Sequence, residues 1–453
     1  MTFKLYLLLM ALSYLRPFDL FAPEWAVYRP MLILMMIVLV LSLIEAKKNK
    51  GSALSPQHRK LMWGIIAMVF VSVTLVAGFG PGFEAVIVFL PTPMLFFISG
   101  MNLTSLARVK ATAAVIIASL VVLAGMGMAS YHDGFMVDTL MMKENGTGPD
   151  SGDAALIDTS DIPALDKSGR YLWRVRSVGF LGDPNDFAQT MVCFLPMLLA
   201  FWRPQRPMRN LLLLGPPAAA LLYTIFLTHS RGSLLGIAAL FFFNVKKWLG
   251  PIKTAVLVVA LFMGAMAFNF TGGRAVSAND ESAGGRIDAW SEGLKMLSNY
   301  PITGVGFQRF HHHHSHTAHN TLVVTFGEIG LLGYWVWMGL VVIVLMQITR
   351  AEAAALPGTP EKLWAARLRT AFFGFFTCSM FLSRAFEPPL FIMLVFCIGV
   401  WHAVCQQLKG TPEGAALAAP IAWRLRTVWV VLGTIAAVYV VVVYKTLTLG
   451  RSV

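Results

Sequence analysis

The sequence predicts an all-α polytopic membrane protein with about 12–13 transmembrane helices and two long loops on the non-cytoplasmic side. Three observations predict it. The 453 residues are 57% hydrophobic and 13% charged, against about 25% charged in an average soluble domain. Apolar runs at Ala255–Phe270, Leu322–Gln347 and Val428–Tyr444 approach or exceed the ~20 residues that cross ~30 Å of hydrocarbon. Lys and Arg gather in short segments between such runs, where they set topology.

Helices are placed in order near 3–16, 30–46, 61–79, 84–100, 111–129, 187–202, 211–228, 232–245, 253–270, 321–347, 370–383, 388–406 and 427–445. The first follows Lys4 and has no small-residue cleavage site after it, so it reads as a retained helix rather than a signal peptide. Lys47, Lys48, Lys50, Arg59 and Lys60 after the second helix place the N-terminus inside. The basic residues near 108–110, 203–209, 246–253, 350–369 and 409–426 then fall on the same side. Five parts follow: N-terminal helices 1–129, a first outer loop 130–186, central helices 187–270, a second outer loop 271–320 and C-terminal helices 321–453. Loops of this length inside a compact protein are either functional or disordered.

The net charge of +13 does not indicate nucleic acid, because the cations are scattered between apolar segments and suit anionic lipid headgroups. Cys193, Cys378, Cys397 and Cys405 all lie in apolar runs, so no disulfide framework is expected.

Chemistry-bearing residues concentrate in the outer segments. Arg231 lies in Thr228-His-Ser-Arg-Gly-Ser233, a tight turn between two apolar helices. It is either a snorkelling anchor or an anion ligand. A cation opposes the dipole of the helix that starts there, and an anion held between guanidinium and helix N-terminus would account for it. Arg286, in Gly284-Gly-Arg-Ile-Asp-Ala-Trp290, is either half of a surface ion pair or a second phosphate ligand. That stretch reads as a short helix. His319, in Thr317-Ala-His-Asn-Thr321, either solvates a helix start or acts as a base, since an ordinary imidazole titrates near pH 6.5. Its neighbour Asn320 joins the substrate-contacting candidates. Glu328 is a carboxylate inside an apolar helix, which marks a functional candidate facing the bundle interior. Asp183, Asn185 and Asp186 either cap a helix, with Asp186 as the cap, or coordinate Mg²⁺ beside a phosphorylated lipid. Capping is the simpler reading, and all three are counted with the substrate-contacting residues. His311–His314 have no carboxylate or Cys spacing suited to a metal and read as solvated loop. The stretch Glu144–Lys167 is rich in Gly, Asp, Ser and Pro and reads as an acidic lid or mobile segment.

Taken in order, Gly182-Asp-Pro-Asn-Asp-Phe-Ala188, Thr228-His-Ser-Arg-Gly-Ser233, Arg286 with Trp290, Pro301-Ile-Thr-Gly-Val-Gly306, and His316-Thr-Ala-His-Asn320 with Glu328-Ile-Gly330 resemble the O-antigen ligase and polymerase superfamily. That superfamily includes bacterial protein O-oligosaccharyltransferases. The motifs cover about 150 residues. The resemblance implies about twelve helices, a GT-C-like architecture, and transfer of undecaprenyl-diphosphate-linked glycans at the periplasmic face of the bacterial inner membrane. A thirteenth helix at 427–445 departs from that count. By resemblance, Arg231 and Arg286 correspond to diphosphate-binding arginines and His319 to the essential histidine. The acceptor is then lipid A core, a growing glycan or a protein hydroxyl, and the reaction inverts the anomeric centre. No DxD-type nucleotide-sugar motif is evident, so no metal or cofactor is expected. The rival class is a flippase for lipid-linked oligosaccharides, which would carry polar groups through the bundle rather than in outer loops.

Overall fold

The computed structural model describes residues 1–49, 51–145, 160–168, 171–267 and 281–448. Part of the acidic stretch of the first loop and the start of the second loop fall outside the described residues. The helices are α1 (Thr2–Leu15), α2 (Pro17–Phe21), α3 (Pro30–Asn49), α4 (Pro56–Ala77), α5 (Phe79–Phe89), α6 (Pro91–Asn102), α7 (Leu106–Asp133) and α8 (Val137–Leu140). Then follow α9 (Pro184–Leu199), α10 (Pro207–Leu227), α11 (Arg231–Leu249), α12 (Pro251–Ala267), α13 (Glu281–Asn299) and α14 (Thr321–Ala354). The chain ends with α15 (Pro360–Ser379), α16 (Pro388–Gln407), α17 (Pro412–Ala418) and α18 (Arg424–Thr448). Between α8 and α9, β1 (Met141–Asn145) and β2 (Tyr171–Val175) pair antiparallel, with Met142 opposite Arg174 and Lys143 opposite Trp173.

Proline opens α3, α4, α6, α9, α10, α12, α15, α16 and α17. The first helical position suits it, because its missing N–H has no intrahelical partner there and its fixed φ is already helical. The prolines between apolar runs thus mark where one helix stops and the next begins.

Each of the thirteen sequence placements overlaps a helix. Among the described residues seven helices, α3, α4, α7, α10, α14, α16 and α18, are long and apolar enough to cross a membrane. The pair α5 and α6, bent by 42°, is either a broken eighth span or a re-entrant loop. The protein is therefore a helical, polytopic membrane protein. Other placements coincide with shorter helices such as the 16-residue α9, which at ~1.5 Å per residue reaches only about 24 Å. The short helix expected around 284–290 is the start of the 19-residue α13. Gly284 and Gly285 lower helix propensity by only about 1 kcal/mol each relative to Ala, and Ala289 and Met296 supply a buried face that outweighs this.

The chain divides into two compact units. The first comprises 1–38, 110–275 and 370–378. Its centre is α9, buried on nearly every side from Phe187 to Leu198 and packed against α10 and α11. Gln189 donates to the Phe375 carbonyl at 3.0 Å within this core. The hairpin stands beside α10, and Lys143 lies 4.3 Å above the Trp173 ring.

The second unit comprises 39–109, 276–369 and 379–453. Its centre is α14 with α16, the latter apolar on all sides and 83% buried across its spanning window. Around α14 pack α4, α13, α16 and α18. By contrast α18 leaves Trp429, Leu432, Tyr439 and Val440 exposed, as a lipid-facing helix does.

Helix α14 is broken at Gly330, whose φ of 64° and ψ of −173° lie in a region open essentially to glycine. The break can be accounted for bond by bond. In an unbroken helix, the N–H groups of Leu331 and Leu332 would reach the carbonyls of Gly327 and Glu328. Here Leu331 donates to Pro301 at 2.8 Å and Leu332 to Ile302 at 3.2 Å. The two abandoned carbonyls accept instead from Val305 at 3.0 Å and Gly306 at 2.9 Å. The loop Pro301–Gly306 is thus spliced into the helix, and these two N–H groups and two carbonyls stay paired, as a hydrocarbon surrounding requires. Gly304, with φ of 70°, lies against the backbone of Gly327 and Glu328, where any Cβ would collide. Gly330→Ala is expected to cost about 1–3 kcal/mol from conformation alone. A Cβ would also strike the Ile302 carbonyl. A thermal midpoint equal to wild type would show that the splice is not needed for stability.

Candidate functional site

In the first unit the DPND segment and the Thr-His-Ser-Arg turn are held by one guanidinium. Asp183, rather than Asp186, caps α9. Its carboxylate accepts from the Asn185 backbone N–H at 2.7 Å and from the Asn185 side chain at 2.9 Å. The reason is positional: Pro184 takes the first helical place, which makes the preceding residue the cap. Asp186 lies in the first turn, where its charge suits the helix dipole.

Arg231 is the first residue of α11, as the sequence implies, and Ser230 caps the helix by accepting from the Ser233 N–H. His229, just before, is left-handed with φ of 47°. Non-glycine residues seldom adopt this conformation, and such residues cluster at functional sites. The turn itself is packed inside the protein: Thr228, Ser230 and Ser233 are each at most 1% exposed.

Arg174, not singled out by sequence, is the hub of this cluster. It is 3% exposed and donates to three separate segments. Its Nε reaches the Thr228 carbonyl at 2.8 Å, and one terminal nitrogen reaches Asn185 Oδ1 at 2.9 Å. The other pairs with Glu144 of β1. Burial pulls its pKa down to about 10; the nearby Asp183 carboxylate opposes that shift and the Arg231 charge adds to it. It remains a cation at neutral pH, paired with Glu144 of β1 and close to both Asp183 at the start of α9 and the Arg231 charge at the start of α11. Such an arrangement can receive an anion, which relieves the repulsion between the arginines.

Arg174→Lys is expected to weaken binding of an anionic ligand at this cluster about tenfold, which corresponds to ~1.4 kcal/mol. A point charge cannot serve three acceptors in a fixed fork. In an Arg231→Ala background the same change should add little, because residues sharing one network are non-additive. Full additivity of the two changes in titrations with that anion would separate Arg174 from Arg231.

The second unit holds the other candidates. Arg286 and Trp290 lie one turn apart on α13 and so share a face. The Trp290 indole donates to the Ala318 carbonyl at 2.8 Å, fixing that face against the residue before His319. His319 is half-buried and left-handed, with φ of 43°. Asn320 caps α14, its side-chain oxygen accepting from Leu322 at 2.9 Å and Val323 at 3.3 Å. The His319 segment is also strapped to the loop before α16. Thr321 Oγ1 donates to the Leu382 carbonyl at 2.7 Å and accepts from the Arg384 N–H at 3.0 Å, while Thr317 and Ser383 join hydroxyls at 2.9 Å.

Glu328 is 4% exposed. Its carboxylate accepts from the Phe310 N–H at 3.3 Å and also from Gln308. It faces a cavity of about 270 Å³ bordered by Phe310, Thr317, Ser383, Phe386 and Glu387. Exposed His311 borders it too, which sets it apart from His312 and His313. Among the described residues no cluster of three or more His, Cys, Asp and Glu side chains has a metal-site arrangement.

Asp183, Asn185, Asp186 and Arg231 thus belong to one unit, and Arg286, His319, Asn320 and Glu328 to the other. Arg174 and the Ser383–Glu387 segment were missed. The signal for Arg174 was a basic residue inside an alternating apolar stretch; for the segment, a polar break ahead of Pro388 and Pro389.

These features define a polytopic membrane protein whose polar chemistry is gathered at helix N-termini and the loops that precede them. Residues 217–338 match the family model described as O-antigen ligase. That match supports a likeness to the O-antigen ligase/polymerase superfamily and spans Arg231, Arg286, His319, Asn320 and Glu328. No curated protein matches the chain.

Proposed function

We propose that the protein transfers an oligo- or polysaccharide from an undecaprenyl-diphosphate donor to an acceptor hydroxyl at the periplasmic face of the inner membrane. The observation that carries this reading is that the family match covers Arg231, Arg286 and His319, the three residues that charge and position single out independently. The segments 130–186 and 271–320 are then the periplasmic loops. Arg231 and Arg286 serve the diphosphate, stabilising negative charge as the anomeric C–O bond breaks. Diphosphate is a good leaving group and needs no general acid. The acceptor oxygen attacks the opposite face of the anomeric carbon, its proton passes to His319, and undecaprenyl diphosphate departs with inverted product. No step in this scheme requires a metal.

The test is to incubate detergent-purified protein with lipid-linked glycan and, separately, lipid A core, free glycan or a hydroxyl-bearing protein, reading product by mass. One of the three should gain the mass of the glycan. No product with any acceptor, together with donor translocation in proteoliposomes, would establish the flippase instead.

A further inference from the structure

The cavity beside Glu328 has a chemistry of its own. Its floor is buried and mostly apolar, formed by Phe310, Val324 and one carboxylate, Glu328. Its rim is polar and partly exposed, with Thr317, Ser383 and Glu387. The half-exposed Phe386 forms a side wall, its ring edge-on to Phe307 at 5.0 Å.

Three classes of occupant can be compared. A phosphate or diphosphate would face two carboxylates; no Lys or Arg lines the cavity, and Arg384 behind it is paired with Glu387 at 3.9 Å. Like charges at such range are strongly unfavourable away from water. A lipid chain would exclude water from the Glu328 and Glu387 carboxylates without offering hydrogen bonds in return. A pyranose ring meets both demands. Its hydroxyls donate to Glu328 and Glu387, and its C–H face packs on Phe386. At about 270 Å³ the cavity lies just under the ~300–1,000 Å³ usual for ligand pockets, so it takes a single ring rather than a chain. Location narrows the assignment further. Thr317 stands two residues before His319, and its hydroxyl bond to Ser383 crosses the cavity rim. An occupant therefore touches the segment that carries His319.

We infer that this cavity binds the terminal, non-phosphorylated sugar ring of the glycosyl acceptor, held by Glu328, Glu387 and Phe386. Neither arginine assigned to the diphosphate is among its lining residues. Its assignment to the acceptor, though not its preference for a sugar ring, rests on the transfer reading above.

The test uses full-length protein in detergent, with saturation-transfer NMR of methyl α-glucopyranoside and glucose 6-phosphate as probes. Wild type is expected to bind the glucoside at least tenfold more tightly than the phosphate. Ser383→Phe, which fills the cavity, and Phe386→Ala, which removes the wall, should each lose the signal, whereas Ser383→Ala should retain it. Glucoside binding unchanged in both cavity variants, or phosphate binding equal to it, overturns the site. In transfer assays, each cavity variant should raise the acceptor KM at least tenfold and leave the donor KM unchanged. An unchanged acceptor KM in both would leave transfer standing and remove the cavity from it. Glucoside binding in a wild-type protein that transfers to no acceptor would keep a sugar site and reject the transfer reading.

Discussion

His319→Ala is expected to abolish glycan transfer while leaving undecaprenyl-diphosphate donor binding intact. The arginines complement the charge of a diphosphate, and a neutral imidazole adds little to that. Its contribution falls later, when the acceptor hydroxyl gives up its proton. Help of this kind accounts for about 10²–10⁴ in rate, so a trace of activity can survive. The surroundings suit the role. Trp290 holds the preceding residue, Asn320 caps the helix that follows, and Thr321 ties the segment to the loop before α16. The imidazole is thereby carried on backbone fixed from three directions, in a left-handed conformation that loose loops seldom sustain. A base also sets a sign for the pH dependence. The deprotonated imidazole is the active form, so transfer should fall as pH drops through the imidazole range at constant donor occupancy. Single-turnover rates and donor titrations across that range separate the two effects. An alanine variant with wild-type turnover would require another base.

Loss of either Arg231 or Arg286 should be nearly as severe. Removing one preorganised donor to a developing negative charge typically lowers rate by about 10²–10³, and here donor affinity should fall as well. Arg231 begins α11, where a cation opposes the helix dipole. Alanine should therefore leave fold and extraction unaffected. Lysine at either position is the sharper test, because it restores the charge without the planar fork. Partial recovery is the expected outcome. Wild-type rates for both lysine variants would make these residues membrane anchors and not diphosphate ligands.

What could be read from sequence follows from how each feature is encoded. Spanning helices are written locally, in runs of apolar side chains ended by proline or charge, and each placement met a helix. Arg231 at a helix start was equally local, since Ser230 and Ser233 bracket it in the chain. Arg174 was not, because its partners lie in β1, α9 and the turn before α11, and no spacing joins Glu144, Asn185 and Thr228. Position also misled for the cap of α9, where Pro184 shifted the role from Asp186 to Asp183. Of the histidines, His312 and His313 are exposed as a solvated loop requires, while His311 borders a cavity made by two segments far apart in the chain, Phe307–Glu328 and Ser383–Glu387. The Pro301–Gly306 and Glu328–Gly330 motifs were visible separately, but nothing in the chain announced that they exchange backbone hydrogen bonds.

That exchange governs how pieces of this protein can be recombined. Pro301–Gly306 and Gly327–Leu332 each complete the other's backbone bonding, so neither is a transferable part. A hybrid that takes its outer loop from one relative and the following helix from another would join two surfaces with no common history. Wherever the incoming loop lacked the right spacing, two carbonyls and two N–H groups would be stranded beside the buried Glu328. Exchanging the whole stretch from α13 through the break in α14 keeps donors and acceptors matched. The natural seam for hybrids therefore lies inside a membrane-spanning helix, beyond Leu332, and not at the loop boundary that hydropathy suggests.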